Sequence, residues 1–216
     1  MSKFYPNVLD KNQKLVLPQL DFLNKYRFYL AGGTALSLQI GHRTSVDFDF
    51  FTPKHFDSTI LYNKLEEKFR ENIKKISEEK DTLFININNV DISFFWYKYP
   101  LVSETTTFEG ISLASLKDIS AMKLLAITHR PVKRDYIDIC FLLRSFELRK
   151  IFSFAEQKYP NFNDYLALRA LTYFDDIKES ETKRPIKILK DSFSWDKARK
   201  TIFEEVKKFQ LSMFKK

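Results

Sequence analysis

Apolar positions along this chain change their spacing several times, and the changes mark out its elements. Residues 28–31 form a short apolar run that ends at Gly32-Gly33, and Leu36 and Ile40 then stand four apart before Gly41. That order predicts a strand, a glycine turn and a short helix over residues 34–40, with Gly41 as the helix C-cap. Residues 46–51 alternate, so Asp47 and Asp49 share one strand face and Val46, Phe48 and Phe50 take the other. Ahead of this unit, Leu9, Val16, Leu20 and Leu23 predict one or two short helices, interrupted by Pro18. Behind it, Pro53 ends the strand, and Ser58 is the expected cap of a helix over 59–72 with Ile60, Leu61, Leu65 and Phe69 on one face. A period of two then predicts strands at 73–77, 82–88 and 90–97, joined by turns at Glu79-Lys80-Asp81 and Asn88-Asn89. Residues 105–112 add an edge strand. From Ser112 the pattern is helical, with helices over 116–127, from the His129-Arg130 stretch to Arg149, and over 151–158, 164–178 and 195–214. The last of these spaces Ile202, Val206, Phe209 and Met213 helically.

Composition narrows the class. With 216 residues, 44% of them apolar, the chain is globular and long enough to bury a true core. No apolar run approaches the ~20 residues that span a bilayer, and the first residues lack a signal-peptide core, so the expectation is a cytoplasmic protein with no membrane partner. Cys140 is the single cysteine, which excludes an intrachain disulfide and suggests a buried thiol. Phenylalanine is abundant at 22 residues, read here as core filling rather than a stacking surface. Net charge is +8, and residues 183–216 hold eleven Lys or Arg against four Asp or Glu. The candidate phosphate contacts there are Lys183, Arg184, Lys187, Lys190, Lys197, Arg199 and Lys200; a solvated helix face is the alternative.

Residues 28–51 concentrate the chemistry. Gly32 and Gly33 let backbone amides approach an anion, and the following helix aims its unpaired amides at the same point, where a triphosphate fits. Asp47 and Asp49 repel one another on one strand face. A divalent cation relieves that repulsion, and hard oxygen ligands without a nearby cysteine favour Mg²⁺ or Mn²⁺ over zinc. His42, His55 and His129 are too dispersed for a zinc site, and neither a Gly-x-Ser-x-Gly elbow nor a Walker lysine loop is present. Lys123 sits in the middle of an apolar helical arc made by Leu116, Ile119, Met122, Ala126 and Ile127, a costly place for an ammonium unless an anion meets it. Asp135 and Asp138, three apart, could orient Lys123 or a substrate group, or form a buried bridge between two packed helices.

The Gly-Gly turn followed by Asp47-x-Asp49 resembles the first motif of the polymerase-β-like nucleotidyltransferases. The fuller string Gly32-Gly33-Thr34-Ala35-Leu36, then Gly41-His42-Arg43, then Ser45-x-Asp47-x-Asp49-Phe50 looks like the AbiEii/AbiGii branch of nucleotidyltransferase toxins. The resemblance implies an α/β (α+β) fold, a small mixed sheet with flanking helices. Residues 1–112 would be the nucleotidyltransferase core and 113–216 a helical C-terminal domain. It implies an enzyme that transfers a nucleoside monophosphate from a nucleoside triphosphate, with Mg²⁺ or Mn²⁺, to an RNA (tRNA) or protein acceptor. A cognate antitoxin would restrain it. Within Val90-Asp91-Ile92, Asp91 would complete a metal triad with Asp47 and Asp49, the alternative being a turn aspartate that closes a hairpin. Gly32, Gly33 and Thr34 would cradle phosphates, Lys123 would contact them, and Asp135 would serve as the acid after a basic residue. Arg43 and Ser45 would take phosphate or local structural roles. A small-molecule, antibiotic-type nucleotidyltransferase and a non-catalytic nucleic-acid-binding member of the fold are the alternative readings.

Overall fold

The structure is a computed structural model and describes residues 4–175, 177, 186–190 and 193–213. The chain divides into two compact units, one of Met1–Pro100 with Glu104–Ser115, the other of Leu101–Ser103 with Leu116–Lys216.

The first unit holds three helices, α1 (Lys11–Val16), α2 (Gly32–Ile40) and α3 (Ser58–Phe69), and seven strands among the described residues. The strands are β1 (Tyr29–Ala31), β2 (Asp47–Thr52), β3 (Ile73–Glu79), β4 (Thr82–Ile87), β5 (Val90–Trp96), β6 (Thr106–Phe108) and β7 (Ile111–Leu113). They form one mixed sheet in the order β3-β4-β5-β2-β1-β7-β6, so the expected sheet with flanking helices is present. β2 lies between an antiparallel β1 and a parallel β5. Alternation makes one face of the central strands apolar: Leu30, Phe48, Phe50, Leu83, Ile85, Ile92 and Phe94 are buried. Leu61, Leu65 and Phe69 of α3 are buried as well, as their helical spacing requires. The opposite face keeps Asp47, Asp49, Phe51, Ser93, Phe95, Phe84 and Asn86 partly accessible.

Local chemistry accounts for the connections. Asn88 and Asn89 both have positive φ, 51° and 65°, which the two-residue turn between β4 and β5 demands and asparagine tolerates. The expected edge strand over 105–112 is instead a hairpin of β6 and β7, because Glu109 and Gly110 turn with φ of 47° and 81°. α3 is capped by Asp57, whose carboxylate accepts from the Ile60 amide, and not by Ser58. The Ser58 hydroxyl donates across the sheet end, to the carbonyls of Glu79 or Thr82. Asp81 ties the loop before α3 to the β3–β4 turn, accepting from the Phe56 amide at 2.9 Å with His55 Nδ1 2.7 Å away. Burial opposes its ionisation, but those two contacts and Lys80 hold its carboxyl below the usual range. β3 carries a register irregularity between Lys75 and Ser77, with Ile76 exposed in the gap.

The second unit is helical: α4 (Leu116–His129), α5 (Lys133–Leu142), α6 (Leu148–Lys158), α7 (Asp164–Thr172) and α8 (Trp195–Met213). α4 packs on α5, α6 and α7, and α8 packs on α5, α6 and α7. Buried Ile119, Leu124, Tyr136, Ile139, Ile151, Phe152, Ala167, Ile202 and Val206 fill the space between them. The helix expected to reach Arg149 stops at Leu142, where consecutive turn bonds run to Phe146, and a new helix begins at Leu148. α7 ends at Thr172; the expected end at Lys178 lies outside the described residues, as do Phe214, Lys183 and Arg184. Cys140 is a buried thiol, its pKa pushed up by burial against the lowering effect of Arg144.

Lys158, fully buried, sets its ammonium 2.8 Å from Asp118, whose carboxylate also accepts from the amides of Val102 and Ser103. Removing one member of such a pair strands the other's charge. Asp118→Ala should therefore cost about 3–5 kcal/mol in chemical denaturation. Lys158→Met, which leaves Asp118 its two amide donors, should cost less.

Candidate active site

The glycines lie inside the helix rather than ahead of it. Ala31 is the N-cap of α2 and its side chain offers no capping bond, so Gly32 and Gly33 are the first helical residues. The amides of this first turn have no partner within the helix, and the positive end of the helix dipole coincides with them. Gly32 has φ +66°, and a Cβ there would lie 2.8 Å from Asp49 Oδ2. The β1–β2 register explains the closeness, since Ala31 pairs with Asp49. A Cβ on Gly33 would collide with the Arg43 guanidinium. Two different side chains thus use the space that the missing side chains leave.

Behind this turn a buried polar knot fixes the loop that leads to β2. Thr34 Oγ1 meets Ser45 Oγ at 2.6 Å and also the Asp47 carbonyl. Since a hydroxyl has one proton, Thr34 donates to the carbonyl and accepts from Ser45. Both residues are buried, as is Arg43, whose Nη1 donates to the Thr44 carbonyl at 3.0 Å. The structure therefore places Thr34 and Ser45 as ties between α2 and the start of β2, while Gly32 and Gly33 remain half-exposed.

Asp47 and Asp49 both emerge on the accessible face of β2, between buried Phe48 and Phe50. On the neighbouring parallel strand Asp91 pairs with Asp47, and residues paired this way project from the same face. Asp91 accepts from Asn86 Nδ2 at 2.6 Å. Among the described residues no three acidic, histidine or cysteine side chains stand close enough, as placed, to share one ion. The donor set still suits a hard divalent cation, being hard carboxylate oxygens on adjacent strands of one accessible face. Asp47, Asp49 and, on turning from Asn86, Asp91 are the residues that would hold it.

Lys123 and Asp135 belong to the helical unit. Lys123 is buried, with its Nζ 2.6 Å from Asp135 Oδ1 and 2.6 Å from Asp138 Oδ2. The exposed Arg130 brings Nη2 to 3.7 Å from Asp135 Oδ2. The ammonium on the apolar arc is thus met by two carboxylates one helical turn apart on α5.

A family model described as "Nucleotidyl transferase AbiEii toxin, Type IV TA system" matches residues 19–211. The chain belongs to the AbiEii family. An uncharacterised protein of Aquifex aeolicus (strain VF5) is 39% identical to this AbiEii chain over 158 residues, 70% of the chain and 76% of the relative. Among solved structures, JHP933 from Helicobacter pylori superposes with a TM-score of 0.59 at 16% identity, covering 96% of this chain and 95% of its own. MenT4, a nucleotidyltransferase toxin from Mycobacterium tuberculosis H37Rv, gives 0.57 at 15% identity, covering 89% and 82%. At such identities the two structures show a shared fold, that of a nucleotidyltransferase.

Asn86 was not singled out from the AbiEii sequence, although a signal existed. A two-residue turn at Asn88-Asn89 pairs residue 87 with 90 and hence 86 with 91, which sets the amide beside the carboxylate.

Two outcomes test this geometry. Gly32→Ala should lose about 1–2 kcal/mol from a left-handed backbone that a Cβ disfavours, read by thermal melting. It should also displace the Asp49 carboxylate. Lys123→Met leaves Asp135 and Asp138 buried without their ammonium, and should destabilise the fold by about 3–5 kcal/mol in denaturant titrations.

Proposed function

We propose that this AbiEii nucleotidyltransferase transfers a nucleoside monophosphate from a nucleoside triphosphate to a hydroxyl of an RNA acceptor, as a cytoplasmic toxin restrained by a cognate antitoxin. One observation carries the reading: an uncapped helix N-terminus built on Gly32 and Gly33 lies directly beside Asp49, on the accessible sheet face that also carries Asp47 and Asp91. The glycine amides would receive the β- and γ-phosphates, and the Thr34–Ser45 knot would hold that turn against β2. Arg43, packed over Gly33, would keep the turn in its left-handed start. Asp47, Asp49 and Asp91 would bind Mg²⁺ or Mn²⁺, and the bound cation would supply charge neutralisation on the triphosphate and a lower pKa for the attacking hydroxyl. The acceptor oxygen forms a bond to the α-phosphorus, the bond to the bridging oxygen breaks, and pyrophosphate leaves. Within the helical unit, Asp135 and Asp138 would keep the Lys123 ammonium charged and oriented for the phosphate role that the family resemblance implies.

An RNA acceptor is supported by the surplus of basic residues over 183–216. Part of that charge is met internally, since Arg199 pairs with Asp196, Lys208 with Glu205, and Lys200 lies 4.0 Å from Glu204. Among the described residues, Lys187, Lys190, Lys197, Arg199 and Lys200 are the candidate phosphate contacts.

The test is to incubate the chain with each labelled triphosphate and with total RNA, protein or small molecules, with and without Mg²⁺. Label should enter RNA in the presence of the cation. Asp47→Asn and Asp49→Asn should each reduce incorporation by at least about 100-fold with the melting temperature preserved, because each removes a ligand charge without changing shape. Wild-type turnover by the double Asn variant would refute the metal assignment, and label confined to protein or to a small molecule would refute the acceptor.

A further inference from the structure

The accessible face of the sheet changes character along its strands. At one end it carries Asp47, Asp49, Asp91 and Asn86. Two residues beyond Asp49, about 7 Å along β2, it becomes aromatic. Phe84, Phe95, Phe51, Tyr97 and Tyr99 form a connected line of rings, with successive centroids 5.4, 5.3, 5.3 and 5.2 Å apart. All five are half-buried, whereas Phe48, Phe50 and Phe94 on the opposite face are fully buried. Register places the line: Phe51 pairs with Phe95, and Phe95 with Thr82. Phe84 pairs with Ser93, beside Phe95 on the same face. Core filling therefore explains the second set fully and the first only in part, Phe51 stacking on buried Tyr29, its partner on β1.

The stretches 50–56 and 92–100, which carry four of the five rings, contain no carboxylate and bring Lys54 and Lys98, while Glu79, opposite Thr82 on β3, borders the Phe84 end. Lys54 and Lys98 are exposed, and Lys98 Nζ lies 5.3 Å from the Tyr99 ring centre. Accessible rings flanked by ammonium groups are what unpaired nucleobases and their phosphates require of a protein surface. A triphosphate brings one base, which covers one ring. Successive rings meet mostly edge to face, at 79°, 68° and 69°, with Phe51 and Phe95 closer to parallel at 31°, so the line offers an unpaired strand more than one ring to pack on.

We infer that Phe84, Phe95, Phe51, Tyr97 and Tyr99 form a stacking platform for the single-stranded end of an RNA acceptor, with Lys54 and Lys98 meeting its phosphates. The inference rests on the proposed nucleotidyl transfer to RNA, and it assigns the acceptor's unpaired bases to one sheet face that leads to Asp49 and Asp47. Sequence preference should be weak, because stacking reads the faces of bases and not their edges.

The experiment measures binding alone, on the full chain, by fluorescence anisotropy with a labelled single-stranded oligouridylate of roughly ten nucleotides, without triphosphate or divalent cation. Phe51→Leu combined with Phe95→Leu keeps apolar volume and removes two rings, and should weaken binding at least about fivefold. The log-log salt slope should stay unchanged in that variant and flatten by roughly 0.7 per contact in Lys54→Gln and Lys98→Gln. A duplex of the same sequence, its bases already paired, should compete poorly. A second readout needs no variant: a probe carrying 5-iodouridine should crosslink to peptides containing Phe51, Phe95 or Tyr97. Parental affinity in the folded Leu variant, equal competition by the duplex, or crosslinks only within residues 186–213 would each overturn the platform. Because no turnover enters the measurement, an active enzyme that fails here loses only the platform. An inactive chain that passes loses only the transfer reading.

Discussion

The pairing of Ala31 with Asp49 is the constraint on which the site depends. It brings the end of β1, where the chain must enter a helix, beside the strand that carries the acids. A Cβ on either of the first two helical residues would have to displace a neighbour, Asp49 beside one and the Arg43 guanidinium beside the other. The same geometry serves the chemistry, because backbone amides unobstructed by Cβ atoms and carboxylates on a neighbouring strand are the two components that a triphosphate and its cation need. A shift of one residue in this pairing would turn Asp49 into the apolar face and Phe50 out of it.

Much of this was legible in the chain itself. The alternation at 46–51 assigned Asp47 and Asp49 to one face, and Gly41 ended α2 with φ 63° as its position suggested. Lys123, two helical turns into an apolar arc, announced that an anion had to meet it, and Asp135 and Asp138 were among the candidates. What could not be read depends on partners distant in sequence. Ser58 looks like a cap as much as Asp57 does, and only the carbonyls of Glu79 and Thr82 decide between them. The hydroxyl of Thr34 looks free to bind phosphate until Ser45 and the Asp47 carbonyl are placed beside it. The aromatic line was hidden for a related reason: the periods of β2, β4 and β5 tell which residues share a face, but only the pairing between strands shows that the rings meet.

The two units distribute their charged groups differently. Among the described residues of the helical unit, the two buried lysines are matched with carboxylates, Lys158 with Asp118 and Lys123 with Asp135 and Asp138, so packing and electrostatics are solved together. In the sheet unit Asp47, Asp49 and Asp91 share one accessible face, with Asp91 bonded to Asn86. Opposed charges closely matched favour one rigid arrangement, and like charges kept together leave an electrostatic demand that a ligand can meet.

The irregularity in β3 has a consequence for assembly. β3 is the last strand at its end of the sheet, and an uninterrupted terminal strand offers its unpaired amides and carbonyls to any extended peptide. Here the ladder skips at Ile76, and Lys74 and Lys75 precede the skip on the exposed edge. A bulge with adjacent lysines twists and charges that border, so neither a second copy nor the extended tail of a regulatory protein can zip onto β3 without first straightening it. Strand addition is disfavoured at this border, which leaves β6 as the sheet's other edge.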